Sequence, residues 1–151
     1  MILQMEDTIK AKTVEAQSIR LTDPNDNVVA ELSARAGSSL LIFSDNTGRP
    51  RLGLGFAGQS QRPGLALFHE HGGQRLSIEI DDDGKASIRL FDLHGNCRMF
   101  VAVSGDGMTT MGFADANGKP LVSMGATPSD GVISLTNSDG SKFWEVNTES
   151  G

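Results

Sequence analysis

At 151 residues and 38% hydrophobic content, the chain has room for one domain with a thin core. Its net charge of −6, its 5% aromatic content and its lack of tyrosine argue against nucleic acid and anionic membrane as partners, because these select a basic field and stacking rings. The single cysteine, Cys97, excludes an internal disulfide, and apolar runs such as Leu40 to Phe43 and Met99 to Val103 are too short to span a bilayer.

Residues 1–18 differ from the rest. Ile9, Ala11, Val14 and Ala16 suit an extended segment, whereas Ile2, Met5 and Ile9 with Glu6 and Asp7 nearby suit a short helix, so both readings stay open. This segment is expected to be an N-terminal extension that takes part in assembly. No basic start followed by an apolar stretch marks a secretory signal. The expected location is therefore the cytoplasm, or a virion or extracellular apparatus assembled without such a signal.

From Ile19 to Val146 one short pattern recurs six times. Its turns start at Asp23, Asp45, His69, Asp92, Asp115 and Asn137, in steps of 22, 24, 23, 23 and 22 residues. A fixed period of this kind marks a structural unit repeated in space. Four residues before each turn stand Ile19, Leu41, Leu65, Ile88, Met111 and Ile133, and two before it Leu21, Phe43, Leu67, Leu90, Phe113 and Leu135. Seven residues after each turn start come Ala30, Leu52, Leu76, Met99, Val122 and Trp144, and nine after it Leu32, Leu54, Ile78, Val101, Met124 and Val146.

Apolar residues two apart share one face of a strand, so each unit is predicted to be a β-hairpin with one apolar face. The turns carry Asp or Asn where a side chain can accept backbone hydrogen bonds, and Gly48, Gly72, Gly95, Gly118 and Gly140 where a positive φ is required. Asp26 takes the glycine place in the first unit. Gly37, Gly58, Gly84, Gly105, Gly107 and Gly131 punctuate the links between units. Residues 147–151 are predicted to fray.

The expected fold is all-β: six tandem hairpins of about 23 residues in an antiparallel meander of twelve strands, about 58 Å long at the usual strand spacing. Such a slab must cover its apolar face. A β-trefoil and a propeller with pooled blades are the alternatives, but both alternate two hairpin roles, and odd and even units here look alike. Three meanders enclosing a triangular prism would give every unit equivalent surroundings. Trp144, in an apolar column, is expected to be buried.

Asp45-x-x-Gly48-x-x-Arg51 and Asp92-x-x-Gly95-x-x-Arg98 resemble the Asp-x-x-Gly-x-x-Arg hairpin repeats of bacterial and phage-associated proteins. Over residues 19–146 the stacked arrangement is similar to the trimeric β-prism and β-helix shafts of phage tail fibres and spikes. The resemblance implies a stable, trimeric scaffold or receptor-binding part without an active site. His69 and His71 flank Glu70 in one turn, and this His-x-His pair resembles the iron-binding pair on the axis of some trimeric spike tips. Imidazoles suit such metals, which makes His69 and His71 the candidate metal ligands, against the reading of a plain solvated turn.

Arg51, Arg75 and Arg98 share the column six after the turn start, and Phe68, Phe91 and Phe100 point outward by parity. The arginines form a candidate stripe for carboxylates or an acidic glycan, or else they pair with Asp45, Asp92 or Glu70. The rings form a candidate contact patch. The acidic turns Asp23–Asn27 and Asp81–Gly84 offer oxygens to calcium but lack a full ligand set. No nucleophile and base are spaced to work together. The expected function is non-enzymatic and structural: a self-associating fibre, spike or adhesive element, needing no cofactor, with its own copies and a glycan or cell-surface receptor as partners. The alternative is a lectin-like carbohydrate-binding module of trefoil or propeller type.

Overall fold

The computed structural model describes residues 11–35, 38–57 and 61–148. Twelve antiparallel strands form one sheet in strict chain order: β1 (Ser18–Thr22), β2 (Val28–Arg35), β3 (Ser38–Ser44), β4 (Pro50–Ala57), β5 (Arg62–Phe68), β6 (Gln74–Ile80), β7 (Ala86–Phe91), β8 (Cys97–Val103), β9 (Thr109–Ala114), β10 (Pro120–Ala126), β11 (Gly131–Thr136) and β12 (Lys142–Asn147). Strands touch only their neighbours in sequence, and β12 does not return to β1. The sheet is thus an open meander, which replaces the trefoil and propeller alternatives.

Residues 11–17 are exposed and not helical, and the helical option for residues 1–10 lies outside the described residues. At the other end, Asn147 closes β12 and the Thr148 N–H donates to the Gly131 carbonyl at 2.9 Å, so the chain is tied down at least that far.

Each of the six turns is built alike. In the fourth unit the Gly95 N–H donates to the Asp92 carbonyl, and the Asp92 N–H donates to the Asn96 carbonyl. The Asp92 Oδ1 accepts the N–H groups of His94 and Asn96 at 2.9 and 3.0 Å. Gly95 has φ +85°, and Asp26 holds the same conformation at +62°. A type I turn closed by one left-handed residue leads into a bulge. That bulge falls at the same place in each of these six hairpins: Leu90 pairs with Met99 but Phe91 with Cys97, leaving Arg98 as the extra residue. Arg51, Arg75, Val29, Leu121 and Phe143 occupy the equivalent place. The turn recurs at the opposite strand ends, at Asp81–Gly84 and Ser104–Gly107.

Gly95→Val should cost about 1–3 kcal/mol from backbone strain alone, since no atom lies within 4 Å of the added Cβ. Urea unfolding measures this, and Gly95→Asn should recover most of it because Asn tolerates the left-handed region.

Pairing carries the four apolar columns across the whole sheet in two unbroken rows. In one, Leu21 faces Ala30, Ala30 faces Phe43, Phe43 faces Leu52, and so on to Leu135 facing Trp144. In the other, Ile19 faces Leu32, Leu32 faces Leu41, and the row ends with Ile133 facing Val146. Nothing among the described residues covers these rows. Among the described residues the only buried apolar ones are Ala30, Ala102 and Ala114, and no large side chain is fully enclosed. Leu54 is 46% exposed and Ile88 45%. Trp144, expected to be buried, is 46% exposed because a single sheet has no second layer to lay over it.

The opposite face mixes small and polar residues with some large apolar ones, among them Leu40, Ile42 and Phe100. Ser33, Ser77 and Ser87 are buried there under longer neighbours, among them the Arg89–Glu79 pair at 2.8 Å.

Candidate functional site

The bulge column positions the three candidate arginines. Arg51 sends Nε to the Phe68 carbonyl at 3.2 Å and Nη1 to the Asp45 carboxylate at 3.6 Å. Arg98 repeats this with the Ala114 carbonyl at 2.8 Å and Asp92 at 3.5 Å. Both guanidinium groups therefore tie their own turn to the next strand. Arg75 breaks the pattern: its turn starts with His69 instead of Asp, and its Nε is buried without a hydrogen-bond partner. The stripe is thus two internally engaged cations around one under-used one.

Successive turns are also laced together. Arg49 donates to the Glu70 carbonyl at 2.9 Å, and Lys119 donates to the Ser138 carbonyl at 2.6 Å.

Phe68, Phe91 and Phe100 lie off the apolar rows, as parity requires, but all three are only half-exposed. Phe100 lies across Gly112, where an added Cβ would meet its ring at 2.5 Å, and the Phe68 ring stands 3.8 Å from the corresponding point at Gly53. Both rings cover glycines on a neighbouring strand, a known way of filling the gap a glycine leaves in a sheet. They do not form a free aromatic surface.

His69, Glu70 and His71 each bring one ligand atom within 4.8 Å of the others, and theirs is the one such group among the described residues. The two rings meet edge to face at 5.1 Å, and the His71 Nε2 lies 3.7 Å from a Glu70 oxygen. His69 fills the Asp position, and its Nδ1 accepts the His71 N–H at 3.4 Å. In the neutral ring, Nε2 then carries the proton. A metal at Nε2 would have to displace that proton, and with it the turn's hydrogen bond. The donor types suit a transition metal, but the local hydrogen bonding works against one.

Asp23, Asp45, Asp92 and Asp115, which open their turns, are held as anions. Asp23 lies below the ordinary carboxylate range because the Asn27 side chain donates to it, joined by the Asn27 and Asn25 N–H groups. Asp45 is lowered first by the Thr47 hydroxyl, and Asp115 by the N–H groups of Lys119 and Asn117. Because these values are depressed in the folded state, the stability they contribute is complete above the unfolded value of 3.8 and is lost as pH falls through the lower folded values. Thermal unfolding should give a flat Tm down to about pH 5 and a decline below that. Asp92→Asn keeps an acceptor in the turn and should flatten part of the decline.

Two features escaped sequence reasoning. One is the bulge: the spacing of facing apolar columns is equally compatible with a plain two-residue turn, although a single glycine at the fourth position, where a primed turn wants two positive φ residues, was the available signal. The other is the partnerless Nε of Arg75, legible only once the arginines' partners are known. Among the described residues no helix is long and apolar enough to cross a membrane. No protein-family model matches the chain, and no curated protein is significantly similar to it.

Proposed function

We propose that this protein is a non-enzymatic structural scaffold that self-associates, with three copies enclosing a triangular β-prism as the favoured assembly, serving as a fibre, spike or adhesive element. The observation that carries this reading is the pair of unbroken apolar rows crossing all twelve strands, with no cover among the described residues. At about 1.5–3 kcal/mol per large apolar side chain, covering them supplies a large driving force for association. A second copy of the same surface is a matched cover, because every unit presents the same two rows.

Strand length favours three copies. Strands of six to seven residues, such as β7 and β8, span about 20 Å. A triangle with sides of about 20 Å has its centre about 6 Å from each wall, close to half the usual 10 Å between packed sheets. Side chains from three walls therefore meet near the axis. The non-enzymatic part of the reading is supported by the turn carboxylates, whose pKa values are lowered by hydrogen bonds, opposite to the tuning a neutral-pH acid or base needs.

Light scattering tests the assembly. A species of three times the 16.0 kDa chain mass, stable to dilution, supports the prism. A well-folded monomer overturns self-association, and a stable dimer replaces the prism with a face-to-face sandwich.

A further inference from the structure

The apolar faces are one unpartnered surface, and the two ends of the sheet are another. β1 pairs only with β2 and β12 only with β11 among the described residues. The direction in which their free backbone groups point can be derived. The Ala34 N–H donates to the Gln17 carbonyl at 2.8 Å. Residues in an antiparallel ladder alternate between bonding to one side and to the other. Ile19 and Leu21 therefore turn their backbone groups toward β2, and Ser18 and Arg20 turn theirs out of the sheet. At the far end Thr148 bonds to Gly131, so Val146 and Trp144 bond to β11 while Glu145 and Asn147 turn outward.

Now let β12 of one copy lie antiparallel to β1 of a second, with Glu145 opposite Arg20. Asn147 then faces Ser18, and the outward N–H and carbonyl groups of one edge meet those of the other. In the same register Val146 faces Ile19 and Trp144 faces Leu21, so both apolar rows run on from chain to chain. Within each chain Arg20 is paired with Glu31 and Glu145 with Lys142, and the facing charges at the junction, being opposite, extend these pairs from chain to chain. Strand direction also agrees, because β12 and β1 take the places of β2 and β3, where Glu31 faces Ile42 and Leu32 faces Leu41. Slipping the register by one residue would send every side chain to the wrong face. Neither edge strand contains proline, a common guard against such pairing.

We propose that copies of this chain join head to tail through β12 and β1, with Glu145 opposite Arg20, so that the repeat continues across chains as a filament. A contact of this heterologous type propagates unless its rotation closes a ring. The junction rests on the scaffold reading only for its multiplicity: in a prism the edges lie at the two ends, so three junctions form together.

The experiment is sedimentation of the full chain against concentration, with two variants. Glu145→Pro removes an outward N–H that no intrachain bond among the described residues uses, together with the carboxylate's exposed contacts to Lys142 and Asn147, which are worth little. Circular dichroism and Tm should therefore stay close to wild-type values while growth beyond the face-assembled unit stops. In a Cys97→Ser background, Ile19→Cys with Val146→Cys places two thiols opposite each other at the junction. Oxidised glutathione should link them into a ladder of multiples of 16.0 kDa on a denaturing gel, and Leu21→Cys with Val146→Cys, out of register, should give none. Growth in steps of three chains supports both the junction and the prism. Growth in steps of one chain, with the ladder, supports the junction and removes the prism. A trimer that never grows and gives no ladder, or a Glu145→Pro chain that grows like wild type, overturns the junction.

Discussion

Ile88→Asp should abolish assembly while leaving a single chain little affected. Ile88 sits near the middle of the second apolar row, between Ile78 and Val101, and is 45% exposed on an isolated sheet. On that sheet a carboxylate keeps most of its water, and the cost should stay near 1 kcal/mol, as for ordinary partly exposed sites. In the prism three such carboxylates would converge on the axis, each desolvated and each facing like charges, at several kcal/mol per chain. The expected result is loss of the oligomer in light scattering at concentrations where wild type is fully assembled. Ile88→Val, which only trims a methylene, should cost about 0.5–1.5 kcal/mol and keep the assembly. An Ile88→Asp protein of unchanged mass and Tm would mean that this face is not the one that is covered.

Gly55→Ala should be the most damaging glycine-to-alanine change among the described residues. Gly55 lies within β4 opposite Leu40 of β3, with φ +146°, a region L side chains rarely enter. A Cβ there would overlap the Ser39 carbonyl oxygen and stand 3.0 Å from the Leu40 Cα. Both obstacles are backbone and belong to the paired strand, so relief requires opening the β3–β4 ladder. The loss should be about 3 kcal/mol or more, beyond the usual range for surface substitutions. Gly95 makes the comparison informative: its φ is also positive but its surroundings are empty, so strain acts there without a clash. Urea midpoints for Gly55→Ala and Gly95→Ala should therefore differ by well over the error of extrapolation. Equal midpoints would show that crowding at Gly55 is relieved at little cost.

The two changes probe different links in one chain of causes. Turn chemistry and strand pairing hold each sheet together without a core of large buried side chains. The faces and edges then decide what the sheets can build. If both surfaces are used, burial across faces supplies most of the energy, and pairing along edges supplies direction. The charged residues fit this division. Arg51, Arg98 and Arg49 are spent on lacing turns to neighbouring strands, which keeps successive units in register.

Much of this was legible before any coordinates. Alternation of apolar residues two apart is a property of neighbouring side chains, and positive φ is a property of single residues. The strands, the six turns, the common apolar face and the outward parity of Phe68, Phe91 and Phe100 could therefore be read from the chain itself. Other features depend on where distant segments meet. The open meander in place of a trefoil or propeller, the bulge that singles out Arg98 and its equivalents, the Phe100 ring over Gly112, and the phase of free backbone groups at Glu145 and Arg20 all require knowing which residues face each other across strands. Identical hairpins can be closed, stacked or left open. Local periodicity carries no term for that choice, and non-local pairing makes it.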